Sequence, residues 1–323
     1  MKRYKQVLKQ IGILVLILVL ETMSIPAISL KTSALELNNN LVIKYSALNE
    51  KVAYSIKDLK DLLKVELYQR STSFVIMYKA DTTNLKSNIE ASINEILKAD
   101  DYLQASIPSY KWSFGGYQNN VTISFEFDYH TTKVQEDYVD SEVTAILKNT
   151  IKVSMNDHQK EKAIHDYIVA NVAYDTTLQK FSAYEALKNG LTVCSGYAQL
   201  AYKMLNQSGI EAKIVVGTGN GESHAWNLVK LDGIWYHLDC TWDDPVPDVK
   251  GRILYNYFNL SDAQISKDHI FQKLDYPVAN QVYYNKTSIF VESDFMQWTK
   301  ASSTASVKPI KQWIIKFKYI FKT

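Results

Sequence analysis

The chain has 323 residues, 46% of them hydrophobic and 22% charged, a balance that excludes a disordered protein and is long enough for two modest cores. Its formal charge of +2 is unevenly spread: Lys2, Arg3, Lys5 and Lys9 oppose only Glu21 at the start, and six lysines from 299 to 323 oppose no acid, so the body between is net acidic. An acidic body excludes nucleic acid as the main partner, because phosphate binding needs a basic face.

The basic start precedes an apolar run over residues 11–20 and then small residues, which predicts a signal peptide over 1–34. Ala27-x-Ser29 or Thr32-x-Ala34 would supply the cleavage site. An uncleaved anchor is the alternative, but a span of about 20 residues would bury Glu21, at a cost of about 3 kcal/mol for a central charge. The expected location is secreted or cell-envelope associated.

Residues 35–150 predict a small α+β domain of unknown role. Within it, 71–79 reads as a strand and 83–98 as a helix, with Leu85, Ile89, Ile93 and Ile96 in one stripe. The segments 110–114 and 121–129 flank Gly115-Gly116 and Asn119-Asn120 and predict a hairpin; Val121, Ile123, Phe125 and Phe127 alternate with polar residues. A helix is expected over 134–151.

Residues 151–284 predict a second domain. A helix runs over 157–172, and a short one over 183–188 ends at Asn189-Gly190, a left-handed stop. A third helix begins at Cys194 and continues to 207. Strands are expected at 210–217, 224–231 and 234–241, the last two joined by the tight Asp232-Gly233 turn.

Only two cysteines occur, Cys194 and Cys240. Cys194 sits where a loop becomes a helix, so the dipole favours its thiolate and its N–H is an unpaired donor; the alternative is an inert, buried cysteine. His224 opens a strand beside a glycine-rich loop, where a surface role is also open. The Asp232-Gly233 turn pairs positions whose numbers sum to 465, which puts His224 and Asp239 on one face as diagonal neighbours. That is the base-plus-orienter half of a triad. If the strand runs to 241, Cys240 faces the other way, which argues against a Cys194–Cys240 disulfide. His237 shares the Asp239 face and is a rival base.

These residues resemble a family. The run from Ser182 through Cys194-Ser195-Gly196-Tyr197, then His224-Ala225-Trp226-Asn227, then Trp235 through Asp239 to Pro245, looks like the microbial transglutaminase-like superfamily. Residues 163–175, 257–261 and Asp268-His269 also fit it, and the resemblance covers 155–282. It implies an α+β, papain-like fold with Cys194 as nucleophile, His224 as base and Asp239 as orienter. Animal transglutaminases carry Gln before and Trp after the cysteine; Val193 and Ser195 stand there in this chain, a departure that puts cross-linking in doubt.

The expected function is an exported thiol enzyme acting on protein or peptide amides by cross-linking, deamidation or hydrolysis. The alternative is a non-catalytic envelope module that keeps the fold for binding. Trp226, Trp235 and Trp242 read as core or cleft wall, and Asp243-Asp244 before Pro245 as a turn. The histidines are too scattered along the chain for a metal set, and no cofactor motif occurs, so neither is expected. In the C-terminal segment 285–323, residues 299–307 read as a linker. Beyond it Ile310, Trp313, Ile314, Phe317, Ile320 and Phe321 form one helical stripe flanked by lysines. That helix would fold back on the acidic body or lie on an anionic membrane or cell-wall surface.

Overall fold

The computed structural model describes residues 51–244 and 246–284. The expected signal peptide and C-terminal helix lie outside them. All described residues belong to one compact unit, and no described helix is long and apolar enough to cross a membrane.

The N-terminal part begins with β1 (Val52–Ala53), α1 (Ile56–Tyr68) and β2 (Ser73–Tyr78). It continues with α2 (Leu85–Ala99), α3 (Asp101–Ala105), β3 (Ser109–Tyr117), β4 (Asn120–Asp128) and α4 (Lys133–Thr150). Ser55 starts α1 by accepting from the Asp58 N–H, and Thr132 starts α4 in a capping box with Gln135. The four strands lie in the order β1-β2-β4-β3. Val121, Ile123, Phe125 and Phe127 point from β4 into a core closed by Leu59, Leu63 and Leu67 of α1 and by the α2 stripe. Each of those fully buried side chains contributes about 2 kcal/mol. The hairpin forms, but β3 pairs Tyr117 with Asn120, so the turn is Gln118-Asn119 and Gly115-Gly116 stay inside the strand.

The second part starts with α5 (Asp157–Asn171) and β5 (Ala173–Tyr174), followed by α6 (Ala183–Asn189) and β6 (Leu191–Thr192). Then come α7 (Cys194–Gln207), β7 (Ala212–Gly219), β8 (Glu222–Leu231), β9 (Ile234–Leu238), α8 (Cys240–Asp243), β10 (Phe258–Leu260), α9 (Asp262–Ile265) and β11 (His269–Phe271). The sheet runs β10-β9-β8-β7-β11, antiparallel throughout. Helix α7 buries Tyr197, Leu200, Ala201, Met204 and Leu205 against Val229, Leu231 and Leu238 of the sheet and Ile164 and Ile168 of α5. Val139, Val143 and Leu147 of α4 join this second core, although the sequence groups that helix with the N-terminal domain. The mixed α+β class and the cysteine-bearing helix on an antiparallel sheet are as the sequence implies.

The β8–β9 hairpin turns at Asp232 (φ 50°) and Gly233 (φ 81°). Its register keeps the sum of 465 from Leu231↔Ile234 to Asn227↔Leu238. Pairing stops there. Asp239 does not continue the strand as expected: its carboxylate accepts the N–H groups of Thr241 and Trp242 at 2.9 and 3.1 Å and starts α8. The alternation argument therefore ends at Leu238. Cys240 is nonetheless buried, and both cysteines are free.

Candidate active site

Cys194 is the first residue of α7, preceded by Val193, which makes no side-chain cap. The helix start is fixed from below: Gly196 sits so close to Thr192 that a Cβ there would lie 1.9 Å from its Oγ1, and Ser195 Oγ donates to the Phe181 carbonyl at 2.8 Å. The thiol is partly exposed, whereas Cys240 is closed off in the core.

His224 lies on β8, buried, between the indoles of Trp226 at 5.7 Å and Trp242 at 5.4 Å. Its Nε2 donates to Asp239 Oδ2 at 2.7 Å. Cys194 also acts on the same imidazole and raises its pKa; with Nε2 turned to Asp239, the remaining ring nitrogen is Nδ1. Burial alone would disfavour the imidazolium, but the bonds to Asp239 and Cys194 outweigh it and lift His224 to about 10. Asp239 is fully buried, which alone would raise its pKa; hydrogen bonds and charge from His224 and His269 pull it down to about 2. The two values describe one proton-sharing unit, with the carboxylate ionised and the imidazole charged.

The structure thus sets Asp239 against His224, and Cys194 acts on the same imidazole. His224 lines a cavity of about 420 Å³ together with Tyr174, Asn220, Glu222, Thr241 and Trp242. A second hollow of about 410 Å³, bordered by Leu147, Ile151, Lys152 and Met155, holds neither thiol nor imidazole.

Three expectations are corrected. His237 is not a rival base: its Nδ1 accepts from Trp226 Nε1 and its Nε2 meets Asp262, both at 2.9 Å, and burial lowers its pKa. Asp243 and Asp244 are not a solvated turn. Asp243 accepts from His165 Nε2 at 3.2 Å and the Tyr257 N–H at 2.9 Å; the Tyr197 hydroxyl donates to Asp244. Nor do the histidines stay scattered, because His224, Asp239 and His269 bring ligand atoms within 4.8 Å of one another. Both imidazoles, however, aim Nε2 at the same oxygen, Asp239 Oδ2. That is a hydrogen-bonded cluster rather than three lone pairs converging on an ion.

His269 had no assigned role in the sequence. It reaches the site because β11 pairs with β7, His269 opposite Gly219 and Phe271 opposite Gly217. A Cβ at Gly217 would lie 2.2 Å from the Ile270 carbonyl, so only glycine lets β11 dock there.

Residues 144–240 match the Transglutaminase-like superfamily. The chain is also similar to the kyphoscoliosis peptidases of Mus musculus, 28% identical over 185 residues, and Homo sapiens, 30% identical over 158. These alignments cover 49% and 40% of this chain but only 28% and 24% of the relatives, so the chain spans about a quarter of their length. A crystal structure of a TGase shares 16% identity at a TM-score of 0.30, covering 59% of each chain. Cys194, His224 and Asp239 all lie inside the matched region, whereas β11 and His269 lie beyond its end at 240.

Proposed function

We propose that this chain is a thiol enzyme that cleaves or transfers protein or peptide amides through a thioester. The observation that carries the reading is the buried His224–Asp239 pair, with Cys194 at the start of α7 acting on the same imidazole, beside the cavity that His224 lines. Cys194 sulfur attacks the amide carbonyl carbon and forms a C–S bond. His224 gives its proton to the departing nitrogen as the C–N bond breaks, while Asp239 holds the ring so that Nδ1 faces the reacting atoms. In the second half His224 takes a proton from the acceptor, which attacks the thioester and returns the thiolate. Water gives hydrolysis or deamidation; an amine gives cross-linking. The relatives' name, peptidase, and the absence of the Gln and Trp neighbours of animal transglutaminases favour water.

Export with retention at the envelope is part of the same proposal, supported by the basic-apolar start and by the lysine-flanked apolar stripe after residue 307. The deciding experiment is incubation of full-length chain with a glutamine- and lysine-bearing peptide library, read by mass spectrometry beside Cys194→Ala. Hydrolysed, deamidated or cross-linked peptides that vanish in the variant support an enzyme. Equal products in both chains, or binding without any product, would favour a non-catalytic module.

A further inference from the structure

His269 lies outside the triad, yet it is fully buried among the triad's own walls, with ring centres 4.3 Å from Trp242, 4.8 Å from Trp226 and 5.2 Å from His224. Its Nε2 is 3.1 Å from Asp239 Oδ2, the oxygen that also accepts from His224. Its Nδ1 is 2.6 Å from Asp268 Oδ1, and Asp268 Oδ2 accepts from the Tyr257 hydroxyl at 2.7 Å. Asp239 Oδ1 is already used by two backbone N–H groups.

Carboxylates accept and do not donate. Each nitrogen of His269 faces one, so the geometry calls for a donor at both ring positions. The titratable groups around it are His224 from β8, Asp239 from the cap of α8, His237 from β9, Asp268 beside it on the chain and Tyr257. The aromatic walls would disfavour a charge on this ring, and the two acids offset that cost.

We propose that His269 is a positioning residue of the candidate active site, which shares the Asp239 carboxylate with His224 and lowers the proton affinity of the Cys194–His224 pair. The inference rests on the thiol-enzyme reading above. Its physical content is simple. With His269 charged, Asp239 divides its attraction between two cations, and His224 repels a like charge, so His224 gives up its proton more readily. The same positive charge favours the Cys194 thiolate. Removing it moves both titrations upward together, whereas mere loss of packing would lower activity without moving them.

The test uses iodoacetamide on the folded full-length chain and follows Cys194 alkylation from pH 4 to 11, so no natural substrate is needed. In His269→Gln the amide can still donate to Asp239 but the charge is gone. The half-maximal pH of alkylation is expected to rise by about one unit, the effect of deleting a charge at this range. An unmoved midpoint with only a lower melting temperature would overturn the proposal. His224→Ala separates it from the underlying reading: if native Cys194 already titrates like a free thiol and His224→Ala changes nothing, the triad itself fails. Should His269→Gln not fold, ¹⁵N histidine spectra of the native chain decide, with the His269 ring identified through its contact with Trp242. Two protonated ring nitrogens at neutral pH support the proposal; a single one overturns it.

Discussion

Replacing Asp239 by Asn tests the electrostatic core of the site through stability, without any substrate. The His224 ring holds its proton to about 10 against an ordinary 6.5, and the Asp239 carboxyl falls from 3.8 to about 2. At about 1.4 kcal/mol per tenfold, the first is about 5 kcal/mol and the second about 2 kcal/mol. The His224 figure includes its bond to Cys194, and the Asp239 figure includes its bond to His269. The pair itself is therefore closer to the lower number. His224 is raised, so its contribution is complete below pH 6.5 and disappears as pH climbs through 10. Asp239 is depressed, so its contribution is complete above 3.8 and disappears as pH falls through 2. Asp239→Asn should thus cost most between about pH 4 and 6.5, on the order of 2–4 kcal/mol, since the buried imidazolium loses its acid. The penalty should shrink toward pH 10. Urea unfolding of both chains at pH 5.5, 7.5 and 9.5, followed by tryptophan fluorescence, gives the difference directly. A penalty that stays constant or grows with pH would refute the linkage, and one below about 0.5 kcal/mol at pH 5.5 would refute the pairing.

Cys194→Ala should retain the native fold and melting temperature within a few degrees while losing all iodoacetamide incorporation under native conditions. Titration with a disulfide reagent should find one accessible thiol in the folded protein and two after denaturation, because Cys240 is buried and unpaired; recovery of a Cys194–Cys240 peptide from unreduced protein would contradict this. Gly219→Ala would place a Cβ 2.7 Å from Trp242 and 3.3 Å from His224, so Cys194 alkylation should slow severalfold with an altered tryptophan spectrum, and an unchanged rate would show that the indole yields freely. Burial raises Asp244 from 3.8 to about 6, partly offset by the Tyr197 hydroxyl. Because the folded form holds its proton more tightly, stability falls as pH rises from about 4 to 6; Asp244→Asn should remove that fall and gain about 1 kcal/mol at pH 7, checked by the same urea series.

What the sequence made legible was local and periodic. The 3.6-residue stripe of α2, the alternation of β4 and the two-residue turn at Asp232-Gly233 each follow from chain chemistry within a few residues, and the turn fixes the register that brings His224 toward Asp239. The end of β9 was less legible. Alternation would carry it to 241, but a carboxylate two and three residues ahead of free N–H groups competes with the ladder and wins at Asp239. That same competition aims Oδ1 into the helix start and leaves Oδ2 for the imidazoles, so the break in the strand is what presents the acid to His224.

His269 shows where local reasoning stops. The family resemblance reaches Asp268-His269 but gives them no role, and β11 is only three residues long, too short for any periodicity to register. The signal that could have found it is distributed. Gly217 and Gly219 strip one stretch of β7 of side chains, and a strand without them is a place where another backbone approaches closely. The sequence displays those glycines plainly, beside His224, but it does not say which segment fills the space. Asp268 supplies the missing half: an acid next to a histidine is unremarkable on a surface, yet beside the buried His269 it is a counter-charge. Taken together, a stripped strand near the nucleophile's base and a distant acid–histidine pair define a testable pattern. Gly217→Ala should lift β11 from β7 by closing the 2.2 Å approach to the Ile270 carbonyl. Cys194 alkylation should then shift upward in pH as it does in His269→Gln, although neither the triad nor His269 has been altered. A normal profile in Gly217→Ala, with β11 amides still protected from exchange, would show that the sheet tolerates the methyl. A normal profile with those amides unprotected would show instead that docking of β11 does not govern the pair.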